Sequence, residues 1–247
     1  MPSTHGDGAV LGVIPARYGA SRFPGKPLAS LWGRPLVQHV WERARGVAGM
    51  DRVVIATDDE RIAAAAGGFG ADVEMTPADC PSGTDRVARV AWHHPEAAIV
   101  LNLQGDEPEL DVAAVTALVA GMRADPRVPM ATLAHREADP QAFVSEHVVK
   151  VELDADDWAL YFTRKWPSPE WAGGEVLRHV GVYGFRRPFL IEFASWPPGR
   201  REQAERLEQL RAVERGVRIK VFASERPAAG VDTPEQLAEL ERRGPRT

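Results

Sequence analysis

Short apolar runs alternate with amphipathic stretches along this chain, and that alternation limits its fold more than any other feature. Residues 10–15 read as a first buried strand. Leu36, Val37, Val40, Trp41, Ala44 and Val47 then recur at helical spacing. That pattern predicts a helix over 35–47, with Pro35 in its first turn. A second strand follows at 53–56, ending in Thr57-Asp58-Asp59, and a helix at 84–94. A third strand at 98–103 ends in Gln104-Gly105-Asp106, and another helix covers 111–124. Strands and helices in that order predict an α/β layer architecture.

The second half is less regular. Strands are expected at 148–153, 159–162, 180–185 and 217–223, with 159–162 pairing with the first of them. A densely charged helix is expected over 200–215 and a closing helix over 234–243. The stretch 166–174, rich in Pro, Trp and Gly, reads as a loop. No internal repeat divides the chain, so 1–247 is expected to form a single domain. Within it, 130–190 would form a smaller sheet region.

Composition narrows the function. Hydrophobic residues make up 44% of 247, enough for a sizeable core. The net charge of −5 does not attract nucleic acid or anionic membrane in general. A polyanion site must then be a local cluster of Arg and Lys. Cys80 is the sole cysteine, so no internal disulfide can form, which fits a reducing cytoplasm. No apolar stretch of about 18 residues is present, and no membrane association is expected.

The first strand leads into Pro15-Ala16-Arg17-Tyr18-Gly19-Ala20-Ser21-Arg22-Phe23-Pro24-Gly25-Lys26-Pro27. A glycine-containing loop after a buried strand can offer backbone N–H groups to phosphates. Arg17, Arg22 and Lys26 add positive charge that a triphosphate needs before a nucleophile can approach it. A solvated basic loop is the plain alternative. Five residues lie between Gly19 and Gly25, where a Walker loop has four, and Pro27 follows Lys26, so this is not a Walker loop. The dinucleotide fingerprint Gly-x-Gly-x-x-Gly is absent from the turn as well.

Two carboxylates stand at ends of the pattern. Asp106 follows the third strand, where ligands of open α/β sheets bind. Asp232, in Gly230-Val231-Asp232-Thr233-Pro234, precedes the closing helix. Two carboxylates from separate loops suit Mg²⁺, which keeps waters and substrate oxygens as its other ligands. An ordinary helix cap is the competing reading of Asp232.

Six motifs, in order, resemble the CMP-Kdo synthetases, or 3-deoxy-manno-octulosonate cytidylyltransferases. They are Pro15-Ala16-Arg17-Tyr18 with Arg22 and Pro24 to Leu28, Ser82-Gly83-Thr84-Asp85-Arg86, and Asn102 to Pro108. Arg178-His179-Val180-Gly181-Val182-Tyr183-Gly184, Leu207-Glu208-Gln209-Leu210-Arg211 and Gly230 to Pro234 complete the set. The match runs from about residue 10 to residue 243.

The resemblance implies a three-layer, Rossmann-like nucleotidyltransferase sandwich with a mixed central sheet. It implies an enzyme that joins CMP from CTP to Kdo or a close 3-deoxy-2-ulosonic acid and releases pyrophosphate. Arg17, Arg22 and Lys26 would hold the triphosphate. Ser82, Gly83, Arg86 and the backbone at Ala16 would surround the cytosine, with Gln104 between nucleotide and sugar. Asp106 and Asp232 would ligate Mg²⁺. Arg164, His179, Tyr183, Glu208 and Gln209 would line the sugar-acid pocket. A cytoplasmic homodimer serving lipopolysaccharide biosynthesis is also implied.

The chain departs from the family pattern in three places. Cys80 stands where the family usually shows His, and Phe185 where it usually shows a second Tyr. The segment from Lys165 to Arg178 is shorter than usual. Two alternatives therefore stand beside Kdo transfer. One is the same reaction on another small acid, such as an amino-Kdo or a sialic-acid-like sugar. The other is a non-catalytic nucleotide-binding protein.

Overall fold

The computed structural model describes residues 8–19, 23–166, 175–226 and 230–245. The chain forms two compact units, one of residues 1–112 and 228–247, the other of 113–227.

The first unit opens with strand β1 (Ala9–Ala16), a 3-10 turn (Lys26–Leu28), and the hairpin β2 (Ser30–Leu31) and β3 (Arg34–Pro35). Helix α1 (Leu36–Ala44), strand β4 (Arg52–Thr57), helix α2 (Glu60–Gly68) and strand β5 (Asp72–Met75) follow. Helix α3 (Gly83–His93) and strand β6 (Ala97–Asn102) come next. The strands lie in the order β6-β1-β4-β5, every pair parallel. Val13 of β1 is in register with Val54 on one side and Asn102 on the other. β1 is buried along nearly its whole length, with α1 and α3 packed on it, while α2 packs on β4 and β5. A strand covered on both faces reads as a continuous apolar run rather than an alternating one, as residues 10–14 do.

The second unit begins with helix α4 (Val112–Ala124) and strands β7 (Met130–His135), β8 (Lys150–Leu153), β9 (Ala159–Thr163) and β10 (Glu175–Arg186). Helices α5 (Arg187–Ser195), α6 (Arg200–Glu205) and α7 (Leu210–Glu214) and strand β11 (Ile219–Ser224) complete it. Pairing here is mixed. β11 runs parallel to β7; β10 is antiparallel to β7 and β8; β8 is antiparallel to β9.

The chain then returns to the first unit with helix α8 (Pro234–Arg243). Val231 and Leu240 join Leu31 and Leu36 in a small buried cluster, with Phe23, Trp32 and Leu237 against it.

The α/β class and the mixture of strand directions agree with expectation. Several details differ. Pro35 is the extended cap before α1 rather than its first turn. The helix expected over 200–215 is two short helices, parted at Arg206, whose φ of 54° is left-handed. Helices α2 and α5 and strands β5 and β7 carry no signal in the sequence pattern. Of the loop expected over 166–174, residues 167–174 lie outside the described residues.

Candidate active site

The carboxyl ends of β1 and β6 and the first turn of α3 border a cavity of about 290 Å³. Its wall includes Ala16, Arg17, Lys26, Ser82, Gly83, Arg86, Gln104, Asp106 and Asp232. All of the nucleotide and metal residues expected from sequence are therefore gathered here except Arg22, which lies outside the described residues. Pro15, Phe23, Pro27, Cys80 and Gly105 also line the cavity and had no expected role in it.

Local chemistry explains the convergence. Gly25 adopts φ 74°, a left-handed turn that glycine accepts without steric cost, and its N–H donates to the Tyr18 carbonyl at 2.8 Å. This closes the loop after β1 and directs Lys26 back toward the strand ends. Gly105 supplies a close approach, since a Cβ there would stand 3.0 Å from the Pro15 carbonyl oxygen. The Val231 N–H donates to the Asp106 carbonyl at 2.9 Å, so the returning segment is fastened to the loop after β6.

The two carboxylates meet at one ammonium. Lys26 Nζ lies 2.6 Å from Asp106 Oδ2 and 3.5 Å from Asp232 Oδ1. The Asp106 and Asp232 side chains are 28% and 45% exposed, so both are open to a second cation from solution. The helix-cap reading of Asp232 is resolved by geometry. Thr233 caps α8: its hydroxyl accepts from Gln236 N–H, and Gln236 Oε1 accepts in return from the N–H groups of Thr233 and Asp232. The Asp232 carboxylate turns toward Lys26 instead. Behind Asp106, burial and then the Asp106 charge push the Glu107 carboxyl up to about 8. Glu107 is thus neutral at pH 7 beside an acidic neighbour that faces the cavity.

Across the cavity, Ser82 caps α3, its hydroxyl oxygen accepting from the Asp85 N–H at 3.1 Å. The same hydroxyl donates to Asp85 Oδ2 at 2.7 Å. The partial positive end of α3 therefore borders the cavity, an arrangement that favours anions. Arg86 is only 3% exposed, with its guanidinium against Thr76 Oγ1 and 3.5 Å from Asp58 Oδ2. Neither Asp58 nor Thr76 was expected at the site. The Thr57-Asp58-Asp59 ending of the second strand was the available signal. Burial pushes the Cys80 thiol above its ordinary value, so it is protonated.

The residues expected to bind the sugar acid lie in the second unit. Arg164 follows β9, and its Nε and Nη1 donate to the carbonyls of Glu205 and Glu146, both at 3.1 Å. Lys150, 1% exposed, donates to the Arg164 carbonyl at 2.5 Å and fixes that turn from below. His179 and Tyr183 lie on β10 with ring centroids 5.5 Å apart. Burial and then the Arg164 charge push the His179 imidazole down to about 3. The Thr132 hydroxyl donates to the Val182 carbonyl at 2.7 Å, so its oxygen accepts from His179 Nε2–H at 2.9 Å. His179 is therefore a neutral imidazole with Nδ1 as its acceptor. Glu208 and Gln209 lie in the break between α6 and α7, not within a helix as the sequence suggested. Gln209 is 2% exposed, and α7, which it precedes, packs on β9.

Comparison with known proteins identifies the family. Residues 11–219 match the family described as Cytidylyltransferase. The 3-deoxy-manno-octulosonate cytidylyltransferase of Geobacter sulfurreducens is 45% identical over 94% of this chain and 97% of its own. That of an Anaeromyxobacter species is 50% identical over 91% and 92%. The structure of a CMP:2-keto-3-deoxy-manno-octonic acid synthetase complexed with CTP superposes with a TM-score of 0.88 at 44% identity, covering 95% of this chain and 97% of that one. Likeness of this extent runs through both units. The chain belongs to the 3-deoxy-manno-octulosonate cytidylyltransferase family.

Proposed function

We propose that this enzyme transfers the cytidylyl group of CTP to 3-deoxy-manno-octulosonate, forming the CMP-sugar and pyrophosphate. The observation that carries the reading is the meeting of Lys26, Asp106 and Asp232 at one wall of a cavity whose other wall is the N-terminus of α3. Arg17 and Lys26 bind the triphosphate, and the end of α3 and Arg86 bound the nucleotide's base end. Ser82 contributes through the cap it makes, since its hydroxyl is engaged with Asp85. The acceptor's anomeric hydroxyl attacks the α-phosphorus in line, and pyrophosphate leaves opposite it. The protein's part is positioning and charge neutralisation.

Asp106 and Asp232 fit magnesium. They are hard oxygen donors that already converge on a cation, and among the described residues no third His, Cys, Asp or Glu completes an all-protein cage. Such a two-carboxylate site leaves the remaining positions to water and phosphate oxygens, as magnesium prefers. Bound there, it would supply neutralisation of phosphate charge.

Arg164 takes the acceptor's carboxylate, and neutral His179 accepts from a sugar hydroxyl through Nδ1. Tyr183, Glu208 and Gln209 read the remaining hydroxyls. Among the described residues no helix is long and apolar enough to cross a membrane. We place the enzyme in the cytoplasm as a homodimer, with the 130–190 strands at the interface, serving lipopolysaccharide biosynthesis. Pyrophosphate release from CTP, UTP and ATP, with magnesium and a panel of sugar acids, tests the whole reading. Turnover with CTP and Kdo is expected to exceed that with any other pair. Equal rates with ATP and CTP would overturn it, and a stronger response to another acid would replace the acceptor.

A further inference from the structure

The turn between β4 and α2 touches Arg86 on one wall of the cavity and Tyr18, which lies outside its lining. Asp59 caps α2, its Oδ1 accepting from the Arg61 N–H at 2.9 Å. The Arg61 side chain folds back onto the same carboxylate, with Nε 3.0 Å from Oδ1 and Nη2 2.6 Å from Oδ2. Hydrogen bonds to Arg61 hold the Asp59 carboxyl down to about 2, so the pair stays ionised. The guanidinium fixed in this way lies 3.4 Å from the centroid of the Tyr18 ring. Tyr18 in turn holds the base of the loop that ends at Lys26. Its carbonyl accepts from Gly25 N–H, and its ring lies about 3.1 Å from where a Gly25 Cβ would stand. One residue before Asp59, Asp58 reaches Arg86 on the opposite wall.

An isolated surface ion pair would contribute little. This one is forked on both sides, and a cation so fixed is a rigid platform for an aromatic face. Arg61, Asp59 and Tyr18 all lie outside the lining of the cavity. We propose that Arg61, fixed by Asp59 and stacked on Tyr18, is a positioning residue that pre-sets the loop carrying Arg17 and Lys26 for the triphosphate. The proposal rests on the cytidylyl-transfer reading of the cavity. Holding both ends of a binding loop in place lowers the entropy lost when the ligand binds. The triphosphate is held alike in ground and transition states, so the effect falls on CTP affinity more than on turnover.

Steady-state kinetics and CTP calorimetry on the full chain test this. Arg61→Ala and Asp59→Asn are each expected to raise the KM and Kd for CTP about three- to tenfold, with kcat within about twofold. The acceptor KM and the unfolding temperature are expected to stay unchanged. Asn still caps α2, so Asp59→Asn removes the charged fork and keeps the helix start. Tyr18→Phe keeps the ring face and is expected to retain wild-type affinity. Arg61→Ala added to Tyr18→Leu is expected to cost nothing beyond Tyr18→Leu alone. Unchanged CTP affinity in Arg61→Ala, equal weakening of both substrates, or additive losses in the double variant would each overturn the proposal. A wild-type chain that binds CTP but transfers nothing to Kdo would sink the proposed reaction while Kd still reads the Arg61 effect. A wild-type chain that binds no CTP would sink both.

Discussion

Asp232 shows how one residue's role is settled by its neighbours. Its sequence context, Asp-Thr-Pro before a helix, supports a cap as readily as a ligand. The hydroxyl of Thr233 takes the cap, and the carboxylate of Asp232 is directed to Lys26 beside Asp106. Asp106→Asn and Asp232→Asn are each expected to lower pyrophosphate release about 10²–10³-fold at saturating magnesium, with the thermal transition little changed. Thr233→Ala separates the roles: it is expected to cost about 1 kcal/mol of stability in urea unfolding and to leave turnover largely intact. His179 offers a test without kinetics. Its imidazole titrates near 3 when folded against an ordinary 6.5, so the unfolded chain binds the extra proton first as pH falls. This contribution to stability is present above about pH 6.5 and is lost progressively from there toward pH 3. Nitrogen-15 shifts are expected to show Nε2 protonated and Nδ1 bare, with no titration down to pH 5; a midpoint near 6.5 would contradict this. The charges of Lys26 and Asp106 were legible in the sequence because each stands in a motif that follows a strand, Lys26 after β1 and Asp106 after β6. Arg61 on Tyr18 was not, since no local spacing encodes a contact across that distance in the chain.

Helices α6 and α7 carry the same lesson one level up. Charge density suggested one helix over 200–215, yet a straight helix puts residues 202 and 211 on opposite faces, about 2.5 turns apart. In the fold, Arg211 Nε and Nη2 pair with both oxygens of Glu202 at 2.8 and 2.6 Å, and both side chains are buried. The break at Arg206 lets the two helices fold onto each other around that pair. Arg211 is thus a framework residue within the Leu207 to Arg211 motif. Arg211→Leu alone is expected to cost about 3–5 kcal/mol in urea unfolding, and adding Glu202→Leu is expected to recover most of it. A double variant no more stable than the single would show that the pair is not the determinant. Other elements were missed for lack of contrast. α2 is largely Ala and Gly and presents no apolar stripe, β5 is four residues long, and β7 is a short buried run poor in β-branched residues. The elements that flank the cavity, β1, α3 and β6, were legible, because their periodicity is strong and their ends carry the motifs.

At the scale of the molecule, the α/β class followed from the order of elements, whereas the division into two units did not. Composition does not change at 112 or 228; the first unit is completed only by a segment that follows the whole of the second. Leu240 ties that segment to Leu31 and Leu36. Leu240→Ala is expected to cost about 2–4 kcal/mol and to weaken CTP binding through Asp232, measurable by thermal unfolding and calorimetry on the same sample. An unchanged Kd in a destabilised variant would show that Asp232 is held by Val231 alone. The separation also has a consequence for biosynthesis. A ribosome adding about 5–20 residues each second needs roughly 6–25 s to pass from Asp106 to Asp232. During that interval the nascent chain has its basic loop and one carboxylate, Asp106, the partner of Lys26, and lacks the hydrogen bond from Val231 that fastens the closing segment. A polypeptide released early would carry half of the carboxylate pair, so translation through α8 is the step that completes it.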